Sequence, residues 1–133
     1  AGRVSDAIFA TIDFMPTFAR LADFKLPDDR RIDGIDQTDL LLGKRKTGRD
    51  HFYFHKAAVR QGKWKYLKPK AFFHGYAVDA ERERVDELYD LESDLGERSN
   101  LAAKFPEKVA ELKALMELIE SDNNASTAPI KIR

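Results

Sequence analysis

The dipeptide Gln61-Gly62 separates two short runs, "AAVR" and "KWKYL". Together they read as two strand arms around a tight loop, with glycine where a positive φ is needed. A hairpin this tight commits its arms to antiparallel pairing, and the neighbouring stretches extend the pattern. In the second arm Trp64, Tyr66 and Lys68 point one way, and Lys63, Lys65 and Leu67 the other. "HFYFH" (51–55) is aromatic and suits a pleated surface, and "VDELYDL" (85–91) alternates as well. Four short strands so close in sequence predict an antiparallel meander.

Two helices flank it. "PEKVAELKALMELIESD" (106–122) places Pro106 at the first helical position, Glu107 at the positive end, and Val109, Leu112, Leu115, Met116 and Ile119 on one stripe. "SDAIFATIDFMPTFARLAD" (5–23) reads as a helix with Asp13 as N-cap and Pro16 in the first turn, where a missing N–H costs little. Phe14, Phe18, Leu21 and Ala22 then share a face, and with Ile12 that face calls for a partner surface. Pro27 and Gly34 punctuate a turn-rich stretch. Asp36 and Asp39 frame a short helix that Gly43 stops, and 44–49 is a polar loop. Gly96 marks a turn, Asn100 caps a short helical turn, and 123–133 reads as a tail. The fold class expected is α+β: a small four-stranded antiparallel sheet packed against a C-terminal helix, preceded by an N-terminal helix. The domain reading is a helical segment over 1–24, a sheet domain over 25–122 and the tail.

Charge narrows the function. Lys plus Arg and Asp plus Glu are both 23, so no overall positive field draws the chain to nucleic acid or to an anionic membrane. No apolar run approaches the roughly 20 residues of a membrane helix. With no cysteine, thiolate nucleophiles, zinc-thiolate sites and disulfides are excluded. Residues 56–70 hold six cations (Lys56, Arg60, Lys63, Lys65, Lys68 and Lys70) and no acid, while 79–98 hold nine acids against three arginines. A cationic stripe with Trp64 and Tyr66 as stacking platforms would suit single-stranded nucleic acid. Cross-strand pairing of a basic hairpin with an acidic strand needs nothing beyond this chain and is the preferred reading, with Trp64 as a core anchor.

Catalytic constellations are absent from the residue types. His51 and His55 are four apart, but on a strand about 13 Å separates them, too far for one ion. No serine lies in a nucleophile elbow, Asp33 and Asp36 lack calcium-loop spacing, and there is no glycine-rich phosphate cradle.

Three blocks nevertheless form a recognisable series. "TIDFMPTFARLADFKLPDDRRIDGID" resembles a segment of the sulfatase (arylsulfatase-like) family in which an Asp-apolar-x-Pro-Thr helix leads to a proline loop and Asp-Gly. "AAVRQGKWKYL" resembles that family's Arg-x-Gly-x-Trp-Lys hairpin, and "DELYDLESDLGERSNLA" its Glu-Leu-Tyr-Asp-Leu, Asp-x-Gly-Glu and Asn-Leu segment. The resemblance implies the C-terminal domain of a sulfuric ester hydrolase of the alkaline-phosphatase-like superfamily, with the last helix of the larger catalytic domain. It implies calcium and a formylglycine made from the Cys or Ser of Cys/Ser-x-Pro-x-Arg. Neither motif occurs here, so no catalytic or metal residue carries over, and the chain alone is expected to be inactive. Beginning at Ala1 in mid-pattern, it is expected to be a piece of a longer protein, and its lack of cysteine leaves the compartment open, a periplasmic or secreted parent included. Asp13, Pro16, Gly62, Trp64, Tyr89 and Asn100 are expected to be structural. Arg60, Lys63, Lys65, His51 and His55 are the candidates for the rim of a sulfated-substrate cleft, with fold-maintaining salt bridges as the preferred role. The expected partner is an upstream catalytic domain. For the chain by itself, a homo-oligomer through the N-terminal helix is expected, because an exposed apolar patch promotes association.

Overall fold

Strands form where the aromatic and alternating runs lie, and helices where the period lengthens. The computed structural model describes residues 2–54, 56–69 and 85–125, the side chains of 123–125 excepted. His55, Lys70, His74, the acidic run 79–84 and the end of the tail lie outside the described residues. The chain divides into two compact units, Ala1–Phe52 and Tyr53–Arg133.

In Ala1–Phe52 a 3-10 turn, Thr11–Asp13, leads into α1, Phe14–Leu21, and α2 spans Thr38–Leu41. Helix thus covers less than the 5–23 expected. Ala10 is extended at φ −111°, and Ile8 forms an antiparallel bridge with Arg49, so the first residues pair instead of coiling. The helix ends where Asp23 adopts φ 54° and the Phe24 N–H reaches back to the Ala19 carbonyl at 2.8 Å, a left-handed stop. Residues 25–52 fold in the same compact unit as α1.

In Tyr53–Arg133 the hairpin and β4 carry α3. The strands are β1 (His51–Phe54), β2 (Ala58–Gln61), β3 (Trp64–Leu67) and β4 (Glu87–Asp90), in that spatial order. β2 and β3 pair antiparallel with Gln61 opposite Trp64, so the two loop residues are Gly62 and Lys63, one position later than expected. Gly62 at φ 55° holds the first loop position. β3 and β4 pair with Tyr66 opposite Leu88 and Lys65 opposite Tyr89. α3, Pro106–Ala125, lays Val109, Leu112 and Met116 on Val59, Tyr66 and Leu88, with Leu115 and Ile119 at the margin. Ala58, Leu67 and Tyr89 form a second buried cluster, consistent with the alternation of side chains along the strands.

Trp64 departs from the expectation. It is only half-buried and packs edge-on against Phe105, ring centroids 5.2 Å apart. As the first residue of β3 it lies beside the turn and packs on the core cluster from its edge. Among the described residues the most deeply buried aromatic is Tyr66, 2% exposed, two positions further into the sheet. Asn100 ties β4 to the start of α3: its Oδ1 accepts the N–H groups of Leu88 (3.1 Å) and Ala102 (2.9 Å), and its Nδ2 donates to the Asp86 carbonyl.

Candidate functional site

The basic hairpin is electrically compensated. Lys63 lies 2.8 Å from Asp90 and 3.6 Å from Glu92, Lys65 2.6 Å from Glu97, and Lys68 3.6 Å from Glu120. Lys65 sits directly opposite Arg60 on β2, a like-charge juxtaposition that Glu97 relieves on the lysine side. Arg60 donates from Nε to the Gly62 carbonyl at 2.9 Å, bracing its own turn. The Lys63 ammonium stands 5.1 Å from the centre of the Trp64 ring, so it also occupies a face that a base or sugar would need. His51 approaches Asp50 at 3.3 Å. The sheet thus brings Arg60, Lys63 and Lys65 together, and it brings the acidic partners of the two lysines with them.

A second polar cluster, Tyr66, Asp86 and Lys113, joins β3, β4 and α3. Asp86 accepts the Tyr66 hydroxyl at 2.7 Å and the Lys113 ammonium at 2.6 Å. Burial pushes the Asp86 carboxyl up, but these two donors outweigh it and hold the group below the ordinary carboxylate value. Burial and the Asp86 bond together raise the Tyr66 hydroxyl, which stays protonated and donating. A groove of about 580 Å³ opens beside this cluster, lined chiefly by Val85, Ala102, Ala103, Pro106, Val109 and Ala110. Its polar members, Asp86, Asn100 and Lys113, are already engaged with one another's neighbours.

Ala1–Phe52 centres on a carboxylate. Asp13 is completely buried. It accepts the N–H of Ala10 at 2.9 Å, the N–H of Ile35 at 2.9 Å and the Arg49 guanidinium at 2.7 Å. Its side chain makes no cap bond to α1, so the N-cap role expected of it is corrected: it pins a loop and an arginine instead. Burial raises its carboxyl, but Arg49 and the two amides prevail and hold it below the ordinary value. Arg49 also donates to the Asp33 carbonyl at 2.6 Å. Gly34, in the Asp-Gly dipeptide, passes so close to the Ile12 carbonyl that any Cβ would collide with it. Thr17 Oγ1 accepts the Gln37 N–H at 3.0 Å, and Thr38 and Arg20 bring Asp36 down to about 2. Arg49, Thr17 and Gln37 escaped the sequence reading. A lone arginine just before the first strand, far from Asp13 in sequence, gives no local signal of its partner.

Around this polar centre α1 is turned inside out. Pro16, Thr17 and Ala19 face inward, while Ile12, Phe14, Met15, Phe18 and Leu21 are exposed, Phe18 by 53%. Phe9, Phe14 and Phe18 stack in series at 5.0 and 5.3 Å, an aromatic ladder on the exposed side.

Among the described residues, no group of three or more His, Asp or Glu side chains is placed to hold a metal ion. With no cysteine and no Ser-x-Pro-x-Arg, no residue here can become formylglycine either. These residues do not fit the cofactors that the resemblance implies. Among the described residues no helix is long and apolar enough to cross a membrane.

Comparison with known proteins gives a consistent result. No family model matches the chain. It is 32% identical over 122 residues to an N-acetylgalactosamine-6-O-sulfatase of Bacteroides thetaiotaomicron, covering 86% of this chain and 24% of that protein. It is 32% identical to arylsulfatase G of Rattus norvegicus, covering 93% of this chain and 27% of the relative. A solved 6S-sulfatase structure from work on glycosaminoglycan metabolism by Bacteroides thetaiotaomicron superposes with a TM-score of 0.69 at 31% identity, covering 88% of this chain and 26% of that one. The chain therefore spans about a quarter of the length of the relatives it matches.

Proposed function

Because this chain belongs to the sulfatase family over about a quarter of its relatives' length, we propose that it serves as the C-terminal domain of a sulfuric ester hydrolase, supporting a catalytic domain and rimming its substrate cleft. Its sheet and helix have the architecture of the corresponding domain in the alkaline-phosphatase-like superfamily. Hydrolysis itself requires groups this chain does not carry. Its own contribution is to present a docking face and to frame the approach of an anionic ester.

The observation that carries this reading is the inverted burial of α1. A helix in a finished protein turns its apolar stripe inward. Here Asp13, Thr17 and Gln37 occupy the inside, and Phe14, Phe18 and Leu21 the outside. That sequence makes physical sense if a second apolar surface covers the aromatic ladder, and the larger part of a sulfatase supplies one. In the isolated chain the same face would drive self-association. At the cleft, Arg60, Lys63, Lys65 and His51 are the rim candidates, with His55 beside them in sequence. The pairing of Lys63 and Lys65 supports a mainly structural role for them, and it weighs against a stand-alone anionic-polymer module built on this hairpin.

Sequencing the same reading frame upstream of Ala1 tests the proposal. An in-frame Cys/Ser-x-Pro-x-Arg motif a few hundred residues before it is the expected result. An initiator methionine directly before Ala1 would refute it.

A further inference from the structure

One group of cations differs from those of the sheet. Arg3, Lys44, Arg45 and Lys46 gather around α2, and among the described residues none of the four makes an ion pair. The two arginines are nevertheless held in place. The Arg3 guanidinium donates to the Leu41 carbonyl at 2.5 Å and lies against Gly43, where a Cβ would displace it. Arg45 donates to Oε1 of Gln37 at 2.7 Å, and Gln37 is fully buried. The backbone N–H groups of Lys44 and Arg45 both bond the Asp39 carbonyl, fixing the loop that carries them. The nearby carboxylates of Asp36 and Asp39 are turned to Arg20.

The anchors of both arginines are neutral oxygens. Each guanidinium keeps its full charge and most of its five donors, in a planar fork suited to a sulfate or carboxylate. Lys44 and Lys46 flank Arg45 as exposed point charges. In a chain of zero net charge, whose sheet lysines are matched by acids, this is a locally uncompensated positive field.

We propose that Arg3, Lys44, Arg45 and Lys46 form a binding site for the sulfate groups of a sulfated polysaccharide, separate from the hairpin cations. The choice of ligand rests on the sulfatase reading. The charge arrangement does not, and the test separates the two.

The experiment is affinity electrophoresis of the full chain in gels containing chondroitin 6-sulfate, its chemically desulfated counterpart or a single-stranded oligonucleotide. Retardation by the sulfated polymer is expected, about tenfold stronger than by the desulfated one, and lost about tenfold in a K44Q/R45Q/K46Q variant. A K108Q variant, whose lysine lies on α3 and pairs with Glu111, should run as the parent does. Circular dichroism checks that each variant is folded, and a singly substituted R3Q replaces the triple variant if that one fails. Equal retardation of parent and variant, no preference for sulfated over desulfated polymer, or equal binding of the oligonucleotide would each overturn the proposal. Because the upstream motif is read from sequence, a failed retardation and a failed sulfatase assignment cannot be confused.

Discussion

Val59, Tyr66, Leu88, Leu112 and Met116 fill the interior of Tyr53–Arg133, and Lys63, Lys65 and Lys113 each meet an acid outside it. Ala1–Phe52 buries Asp13, Thr17, Gln37 and Thr38 beside a few small apolar groups, and leaves its phenylalanines outside. The first arrangement is that of a domain with its own hydrophobic driving force. The second is held by directed polar contacts and has its largest apolar side chains unspent. It is the arrangement expected of a segment whose stability is completed by another body. On the proposed function, the chain joins an apolar module to a polar connector that a catalytic domain completes, and each should fail differently when perturbed.

The largest effect is expected at the polar centre. Replacing Asp13 by Ala strands the Arg49 guanidinium and two backbone N–H groups, a loss of about 3–5 kcal/mol for breaking a buried pair. It should appear as lost hydrogen-exchange protection at the Ile35 and Gln37 amides, with the amides of β3 unaffected. Loss of β3 protection in the same variant would mean that the two units stand or fall together. Leu112→Ala is the counterpart in the apolar unit, costing about 2–5 kcal/mol by leaving a cavity. Urea unfolding followed by Trp64 fluorescence should show it, because the indole packs on the residue that leads into α3.

Acid sharpens the contrast. The folded pKa of Asp13 is depressed, so its contribution is fully present above the unfolded value of about 4 and fades as pH falls through the lower folded value. Asp36, at about 2, adds to the same trend. Protection at Ile35 should therefore decline below about pH 4 in the parent. In Asp13→Asn it should start lower and decline less steeply. Lys63→Gln should do least, since Lys63 is exposed and its charge well solvated: the urea midpoint is expected not to move measurably.

How much of this was legible in the sequence follows the same division. In the sheet unit the signal is local. Alternation around Gly62, the alternating acidic run 85–91 and the Pro106 start of α3 each announce their element. The acid count in 79–98 anticipates the partners of Lys63 and Lys65, both of which the structure pairs with acids from that stretch. The misplacements there are a loop one residue late and a tryptophan nearer the rim than expected, because neither register nor helix length can be read from periodicity. In the connector the signal is long-range. The apolar stripe of α1 was plain, but no local pattern says that Asp13 will be swallowed by Arg49, 36 residues on, or that Gly34 must clear the Ile12 carbonyl. A cap and a buried ion-pair partner look alike in sequence: both are an aspartate before an apolar run. The resemblance in motif order located the chain within a family, while the four cations around α2, without an ion pair among the described residues, come together only in the fold, where Arg3 lies beside Gly43.

The claim on which the rest depends is that Phe14 and Phe18 are not core residues of this chain. Urea denaturation of a Phe14→Ser/Phe18→Ser variant, in dilute solution where self-association does not contribute, tests it directly. Exposed positions lose little, so the midpoint should match the parent within about 0.5 kcal/mol. A loss of about 3 kcal/mol or more, as truncating a buried phenylalanine produces, would contradict the account and place the aromatic ladder inside the fold.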